Sequence, residues 1–257
     1  MPYKFARERG DYSDLASGKV FHSLPGYPAF PIRLGSEIFQ RCLAGLTSGG
    51  AAGRVTLYDP CCGGAYHLAT LACLHWDSID SIIASDIDPK AVALAERNLE
   101  LLTPEGMDRR IVELADLWKK FGKESHRAAL RSADQLRQRI DRLSKDHRIS
   151  TRVFAANAMD GPLLRGQLEA VSVGIVFTDV PYGRHSAWQD DAGGNPAPLW
   201  RMLDALHEVL VPSSLVAVVA DKRQKVAQEA YDRVDKFQIG KRQVVILKPI
   251  PRKIYAE

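Results

Sequence analysis

This chain has few cysteines, no long apolar run and almost no net charge, and each shortage excludes something. Its 257 residues hold four cysteines, Cys42, Cys61, Cys62 and Cys73. Adjacent Cys61 and Cys62 suit neither a zinc knuckle nor an unstrained disulfide, so the thiols are expected to be reduced. A disulfide-stapled scaffold is thereby excluded. The longest apolar stretches, such as 171–177 and 215–220, fall far short of the roughly 20 residues that span a bilayer. Lys4, Arg7, Glu8, Arg9, Asp11 and Asp14 stand where a signal peptide would place its apolar core. The expectation is a soluble, cytoplasmic protein. The seven histidines are scattered without ligand spacing, so no metal is expected. The formal charge of +4 says little by itself about nucleic acid. There are no internal repeats or low-complexity tracts. What remains is an ordinary globular composition, 46% hydrophobic, with length for one large α/β domain.

From Val55 onward, short apolar runs alternate with helical patterns. Strands are expected at Val55 to Tyr58, Ser81 to Ser85, Arg152 to Ala156, Gly174 to Thr178 and Leu215 to Ala220. Helices follow through Leu68, Leu71 and Leu74, through Val92, Leu94, Ala95 and Leu99, and from Leu199 to Leu210. Asp88 is placed to cap the second of these, with Pro89 in its first turn. A further helix is expected around Val226 to Tyr231. Two strands, near Phe237 to Ile239 and Val244 to Leu247, have only Gly240 to Gln243 between them and should pair antiparallel. The fold class is therefore α/β: a doubly wound, seven-stranded, mostly parallel sheet with an antiparallel finish.

Two segments depart from this alternation. Residues 1–50 hold Pro25, Pro28 and Pro31 and read as an irregular arm leading to a helix near Ser36 to Leu46. Residues 51–257 form the main domain, with a helical insertion at about 104–150, far longer than the roughly 2–6 residues usual for an αβ connection. Leu136, Ile140 and Leu143 make its apolar stripe. Between Asp108 and Arg152 there are 13 Lys or Arg against 7 Asp or Glu, so the insertion carries the positive charge and the remainder is slightly acidic.

Two loops on the same edge of the expected sheet carry chemistry. Asp59-Pro60-Cys61-Cys62-Gly63-Gly64-Ala65 follows the first strand and opens a helix; Gly63 and Gly64 let backbone approach a ligand. Asp86, 23 residues after Gly63, ends the next strand, where a carboxylate can hold ribose hydroxyls. A dinucleotide fingerprint is excluded, because Tyr66, His67 and Leu68 stand where its later glycine would be. After the fourth strand comes Asp179-Val180-Pro181-Tyr182-Gly183. This run resembles a motif of methyltransferases that act on planar amino nitrogens, which implies that Asp179 holds the N–H groups of a conjugated, poorly nucleophilic amine while Tyr182 stacks on its base. Methylation at a pyrimidine carbon would need a thiolate beside the base, and no cysteine is near Asp179 in sequence. Arg184 and Trp188, in the loop that follows, are candidates for phosphate and base contacts.

The first loop resembles the D-x-G-x-G-x-G motif of class I S-adenosylmethionine-dependent methyltransferases, with Cys61 and Ala65 replacing two glycines. Its DPxCG form is similar to that of nucleic-acid amino-methyltransferases, and Asp179 to Tyr182 resembles their [DN]-P-P-[YF] motif with Val180 for the first proline. The resemblance implies S-adenosyl-L-methionine as cofactor, held by Asp59, Cys61, Gly63 and Gly64, with Asp86 at the ribose and Asn157 at the adenine. It implies Asp179, Pro181 and Tyr182 as catalytic residues. Taken with SDIDPKAV, the basic insertion and the length, the chain resembles the ribosomal RNA methyltransferases that confer resistance to orthosomycin (avilamycin-type) antibiotics. These imply methylation of a guanine of 23S rRNA at N1; separately, a monomer is expected. The motifs alone point to an exocyclic amine such as guanine N2, its neighbour on the same base edge. At N1 a proton must leave, and Asp179 is the candidate acceptor. Arg137, Arg139 and Arg142 of the insertion are candidate phosphate contacts. Two other readings use the same residues: a protein side-chain amide methyltransferase, and a non-catalytic RNA-binding module of this fold.

Overall fold

Five short runs form the parallel part of one sheet, four of them apolar and the third a more polar edge strand: β1 (Val55–Asp59), β2 (Ile79–Asp86), β3 (Ser150–Ala155), β4 (Ile175–Asp179) and β5 (Leu215–Asp221). The computed structural model describes residues 3–50, 53–180 and 196–252. Two antiparallel strands complete the sheet, β6 (Tyr231–Ile239) and β7 (Arg242–Pro249), in the order β3-β2-β1-β4-β5-β7-β6. β4 and β5 are almost wholly buried, as expected of strands covered on both faces. Chain order reverses between β1 and β4, which opens a crevice beyond their carboxyl ends, where Asp59 and Asp179 stand.

Helices α1 (Ile32–Ser48), α2 (Tyr66–Leu74) and α3 (Pro89–Glu100) share a core with one face of the sheet. Asp88 caps α3 by accepting from the Lys90 N–H at 2.9 Å. The insertion is a helical hairpin, α4 (Pro104–Phe121) and α5 (Glu124–Leu143), whose Met107, Leu114, Leu136 and Ile140 join that same core. Thr103 caps α4 through the Gly106 N–H, and Gly122, at φ 60°, turns the chain into α5. On the opposite face lie α6 (Gly161–Leu168) and α7 (Pro198–His207). Helix α6 was not expected, although Asp160 caps it and Pro162 sits in its first turn.

The N-terminal arm is held at many points. Leu15, Val20, Phe21 and Phe30 are core residues. Tyr66 Oη donates to the Leu15 carbonyl at 2.8 Å, and Arg110 Nε donates to the Val20 carbonyl at 2.8 Å. Glu37, fully buried in α1, accepts from the backbone of Lys4, Phe5 and Ala6 and from Arg41.

The helix expected around Val226 to Tyr231 is absent: residues 222–230 are turns and irregular backbone, and Tyr231 opens β6. Buried Gln243 explains the difference. Its side-chain amide donates to the carbonyls of Asp221 and Gln224, and Asp221 Oδ1 accepts from the Arg223 N–H, so these groups are satisfied without a helical ladder. Tyr231 meanwhile donates its hydroxyl to the Leu203 carbonyl at 2.8 Å, which ties the start of β6 to α7.

Two partly buried histidines give the fold an acid sensitivity. Burial pushes His22 down to about 4, assisted by Arg110 and Arg97, and burial alone pushes His75 to about 4. Unfolded, both take up a proton near pH 6.5. The unfolded state therefore binds more protons between pH 6.5 and 4, and stability falls as pH drops through that window. After discounting for partial solvent access, each is expected to cost about 1 kcal/mol by pH 4.5. Urea unfolding at pH 7.5 and 5 should show the loss, and His75→Gln should reduce it.

Candidate active site

One cavity of about 700 Å³ lies beyond the carboxyl ends of β1, β2, β3 and β4, and it is large enough for a nucleoside cofactor with a target base beside it. Its floor is the loop after β1. Asp59 Oδ1 accepts from the Cys61 N–H at 2.9 Å and starts the turn. The Cys62 N–H then bonds the Ser85 carbonyl at 2.9 Å, tying the loop to β2. Gly63 adopts φ 51° and donates its N–H to Asp86 Oδ2 at 2.8 Å; the other oxygen of Asp86 accepts from the Asp88 N–H at 3.0 Å. Each oxygen keeps acceptor capacity at the cavity wall. Burial raises the Asp86 carboxyl, the Asp88 and Gly63 N–H groups oppose the rise, and Asp59 and Asp88 add to it.

The departures from the glycine pattern have local explanations. Ala65 occupies a left-handed position, φ 50°, which is strained for an L residue by roughly 1–2 kcal/mol, and its methyl is fully buried in return. Gly64 is required by packing against α3: a Cβ there would lie 2.6 Å from Leu94 Cδ2. Gly64→Ala is expected to destabilise the protein by about 1–3 kcal/mol, and a Gly64→Ala/Leu94→Ala double variant to lose less than the sum of the singles. Thermal or urea unfolding of the three variants measures this. The thiols of Cys61 and Cys62 are held well above the usual range by burial and by Asp59 and Asp86, so they are neutral packing groups. His67 Nε2 sits 3.1 Å from Asp59 Oδ2, within ion-pair distance though off hydrogen-bond geometry, with its ring against Phe30 and Phe177.

Asn157 also lines the cavity. Its Oδ1 accepts from the Met159 N–H at 3.0 Å, so its amide nitrogen is the group that would donate to an adenine edge. Asp179 and Val180 complete the wall at the end of β4. The Val180 N–H bonds the Val219 carbonyl at 3.0 Å and prolongs the β4–β5 pairing, a bond that the proline common at this position in the motif cannot make. Pro181, Tyr182, Arg184 and Trp188 lie outside the described residues.

The structure separates the three insertion arginines. Arg137 donates to Asp108 at 2.7 Å and lies 3.3 Å from Asp141, so its charge is matched within the α4–α5 hairpin. Arg139 is half-buried and Arg142 exposed on α5, and neither joins an ion pair among the described residues. Three site residues gave no motif signal: His22, Tyr27 and Asn98, all lining the cavity. Tyr27 donates its hydroxyl to Asp88, which pushes that hydroxyl up to about 12 and pulls the Asp88 carboxyl down. Fully buried Asn98 accepts from the His22 N–H and donates to the carbonyls of His22 and Gly64, joining the arm to the cofactor loop. Its one trace in the sequence is an amide on the apolar stripe of α3, between Leu94, Ala95 and Leu99. Among the described residues no cluster of side chains could hold a metal, and no helix is long and apolar enough to cross a membrane.

Residues 1–242 match the family model described as rRNA methyltransferase AviRa. The chain belongs to the AviRa family. It is 39% identical over 247 residues to the 23S rRNA (guanine(2535)-N(1))-methyltransferase of Streptomyces viridochromogenes, covering 96% of this chain and 95% of the relative. A solved structure of rRNA methyltransferase aviRa from the same organism superposes with a TM-score of 0.85 at 38% identity, over 96% of each chain. A Listeria monocytogenes protein assigned to the class I S-adenosylmethionine-dependent methyltransferases shares the fold alone, with a TM-score of 0.51 at 12% identity over 92% of this chain and 64% of that one. The seven-stranded sheet expected from the sequence is thus the sheet of AviRa-family proteins.

Proposed function

We propose that this protein methylates N1 of a guanine base in 23S rRNA with S-adenosyl-L-methionine, at the nucleotide corresponding to the one named for its Streptomyces relative. One observation supports the reading most: Asp86 with its Gly63 turn, and Asp179 with Val180, line a single cavity in a chain 39% identical to an rRNA guanine-N1 methyltransferase. Asp86 would hold the ribose, the Cys61 to Gly63 backbone the methionine end, and Asn157 the adenine. When bound, the cofactor supplies an electrophilic methyl group.

The rest falls to the chain's own residues. Guanine must be turned out of its stack and placed with N1 toward the cavity. As the N–C bond forms, N1 gives up its hydrogen, and the Asp179 carboxylate at the end of β4 accepts that proton. Methylation at this edge would hinder an orthosomycin that binds the ribosome there, so resistance is the proposed consequence, and the cytoplasm is the proposed compartment. Labelled methyl transfer to 23S rRNA, intact large subunits and protein extract in parallel tests the substrate class. Label is expected in RNA; label confined to protein would overturn the reading.

A further inference from the structure

Helix α4 ends in exposed aromatics. Trp118 is 42% exposed and Phe121 51% exposed, three residues apart and so on one helix face, while Met107 and Leu114 of the same helix are buried. The Lys120 ammonium lies 5.3 Å from the Phe121 ring centre, and the His126 ring meets Phe121 edge-on at 5.9 Å. Gly122 and Lys123 then turn the chain into α5.

Some of the hairpin's charges are matched, Arg137 by Asp108 and Asp141 and Arg131 by Glu124, while Arg139 and Arg142 join no ion pair among the described residues. At the tip, Lys120 and Lys123 join no ion pair among the described residues. Two flat aromatics close in sequence to these two lysines make the combination that holds unpaired nucleotides, bases on rings and phosphates on ammonium groups. A surface that docks protein is depleted in lysine. The tip also connects to the active site. Leu117 and Lys120 border a surface depression of about 450 Å³ together with His22, Arg97 and Arg110, and His22 lines the large cavity as well. The two carboxylates of that depression, Glu113 and Asp116, are already paired with Arg97, Arg110 and Lys119.

We infer that the tip of the α4–α5 hairpin is an RNA-docking surface, with Trp118 and Phe121 stacking on unpaired bases of the substrate and Lys120 and Lys123 meeting its phosphates. This rests on the rRNA reading above and adds where the RNA is gripped. Both rings are exposed, so their removal leaves the core intact.

The test compares wild type with Trp118→Ala/Phe121→Ala and Lys120→Ala/Lys123→Ala on naked 23S rRNA fragments and on intact large subunits, with cofactor affinity and melting temperature as controls. The aromatic variant is expected to raise Kd and KM for naked RNA by about 10–100-fold with kcat and cofactor affinity unchanged. The lysine variant should reduce the slope of log Kd against log salt by about 1–2. Trp118→Phe should retain most of the affinity and lose the RNA-induced fluorescence quenching. Unchanged naked-RNA affinity in the aromatic variant overturns the inference while leaving the methyltransferase reading intact. A defect seen only with assembled subunits also overturns it, pointing to a ribosomal protein as the partner. A wild-type protein that methylates no RNA overturns both.

Discussion

Replacing Asp179 by Asn is expected to slow methyl transfer to RNA by about 10²–10⁴-fold, the range for loss of a positioned general base, with cofactor affinity unchanged. Asn keeps the size of the side chain and disturbs little of its setting. Asp179 lies opposite Val219 in the β4–β5 register, and the Val180 N–H bond to the Val219 carbonyl holds the following residue in place. The substitution thus removes a proton acceptor and leaves the strand end intact. Raising the pH, which removes the guanine N1 proton in solution, should partly restore the variant's rate relative to wild type. A residue that only positioned the base would show no such recovery. Single-turnover rates across pH, with cofactor binding by calorimetry, make the comparison. A variant with the wild-type rate would remove Asp179 from the chemistry.

Asn98→Leu is expected to destabilise the protein by about 3–5 kcal/mol and to weaken cofactor binding together with stability. Asn98 is fully buried and makes three hydrogen bonds to main chain: from the His22 N–H at 2.7 Å, to the His22 carbonyl at 3.2 Å and to the Gly64 carbonyl at 2.8 Å. A leucine of similar volume leaves all three backbone groups without their partner in a dry site, at about 1–3 kcal/mol each and not strictly additive. One of these groups belongs to the cofactor loop and two to the arm, so both walls of the cavity loosen together. Urea unfolding gives the stability loss. Cofactor titration, well below the variant's melting temperature, gives the affinity. Normal cofactor affinity in a destabilised variant would show that arm and loop are positioned independently.

Local residue chemistry made part of this architecture legible. The strand runs, the Asp88-Pro89 helix start and the antiparallel finish at Gly240 depend on neighbours in the chain, and they stand in the structure where the pattern put them. Asp59, Gly63, Asp86 and Asp179 were found because each ends or follows a strand at one edge of the sheet. Contacts between distant segments were not legible. The arm meets the site through His22 and Asn98, 76 residues apart, and through Tyr27 and Asp88, 61 apart, and neither pairing has a local signature. The segment 222–230 carries apolar residues at helical spacing, but Gln243, from a later strand, takes up the carbonyls of Asp221 just before it and Gln224 within it. Counting charges found the basic insertion without showing which charges were already matched. Arg137 is held by two carboxylates, while the exposed rings of Trp118 and Phe121 sit in a stretch that reads as ordinary amphipathic helix.

The most direct measurement is the identity of the methylated nucleoside. The protein is incubated with 23S rRNA and S-adenosylmethionine carrying a labelled methyl group, the RNA is digested, and the labelled nucleoside is separated by chromatography against standards. Label in 1-methylguanosine, lost with Asp179→Asn, is the expected result. Label in N2-methylguanosine, in another base, or in no RNA at all would contradict guanine N1 as the target.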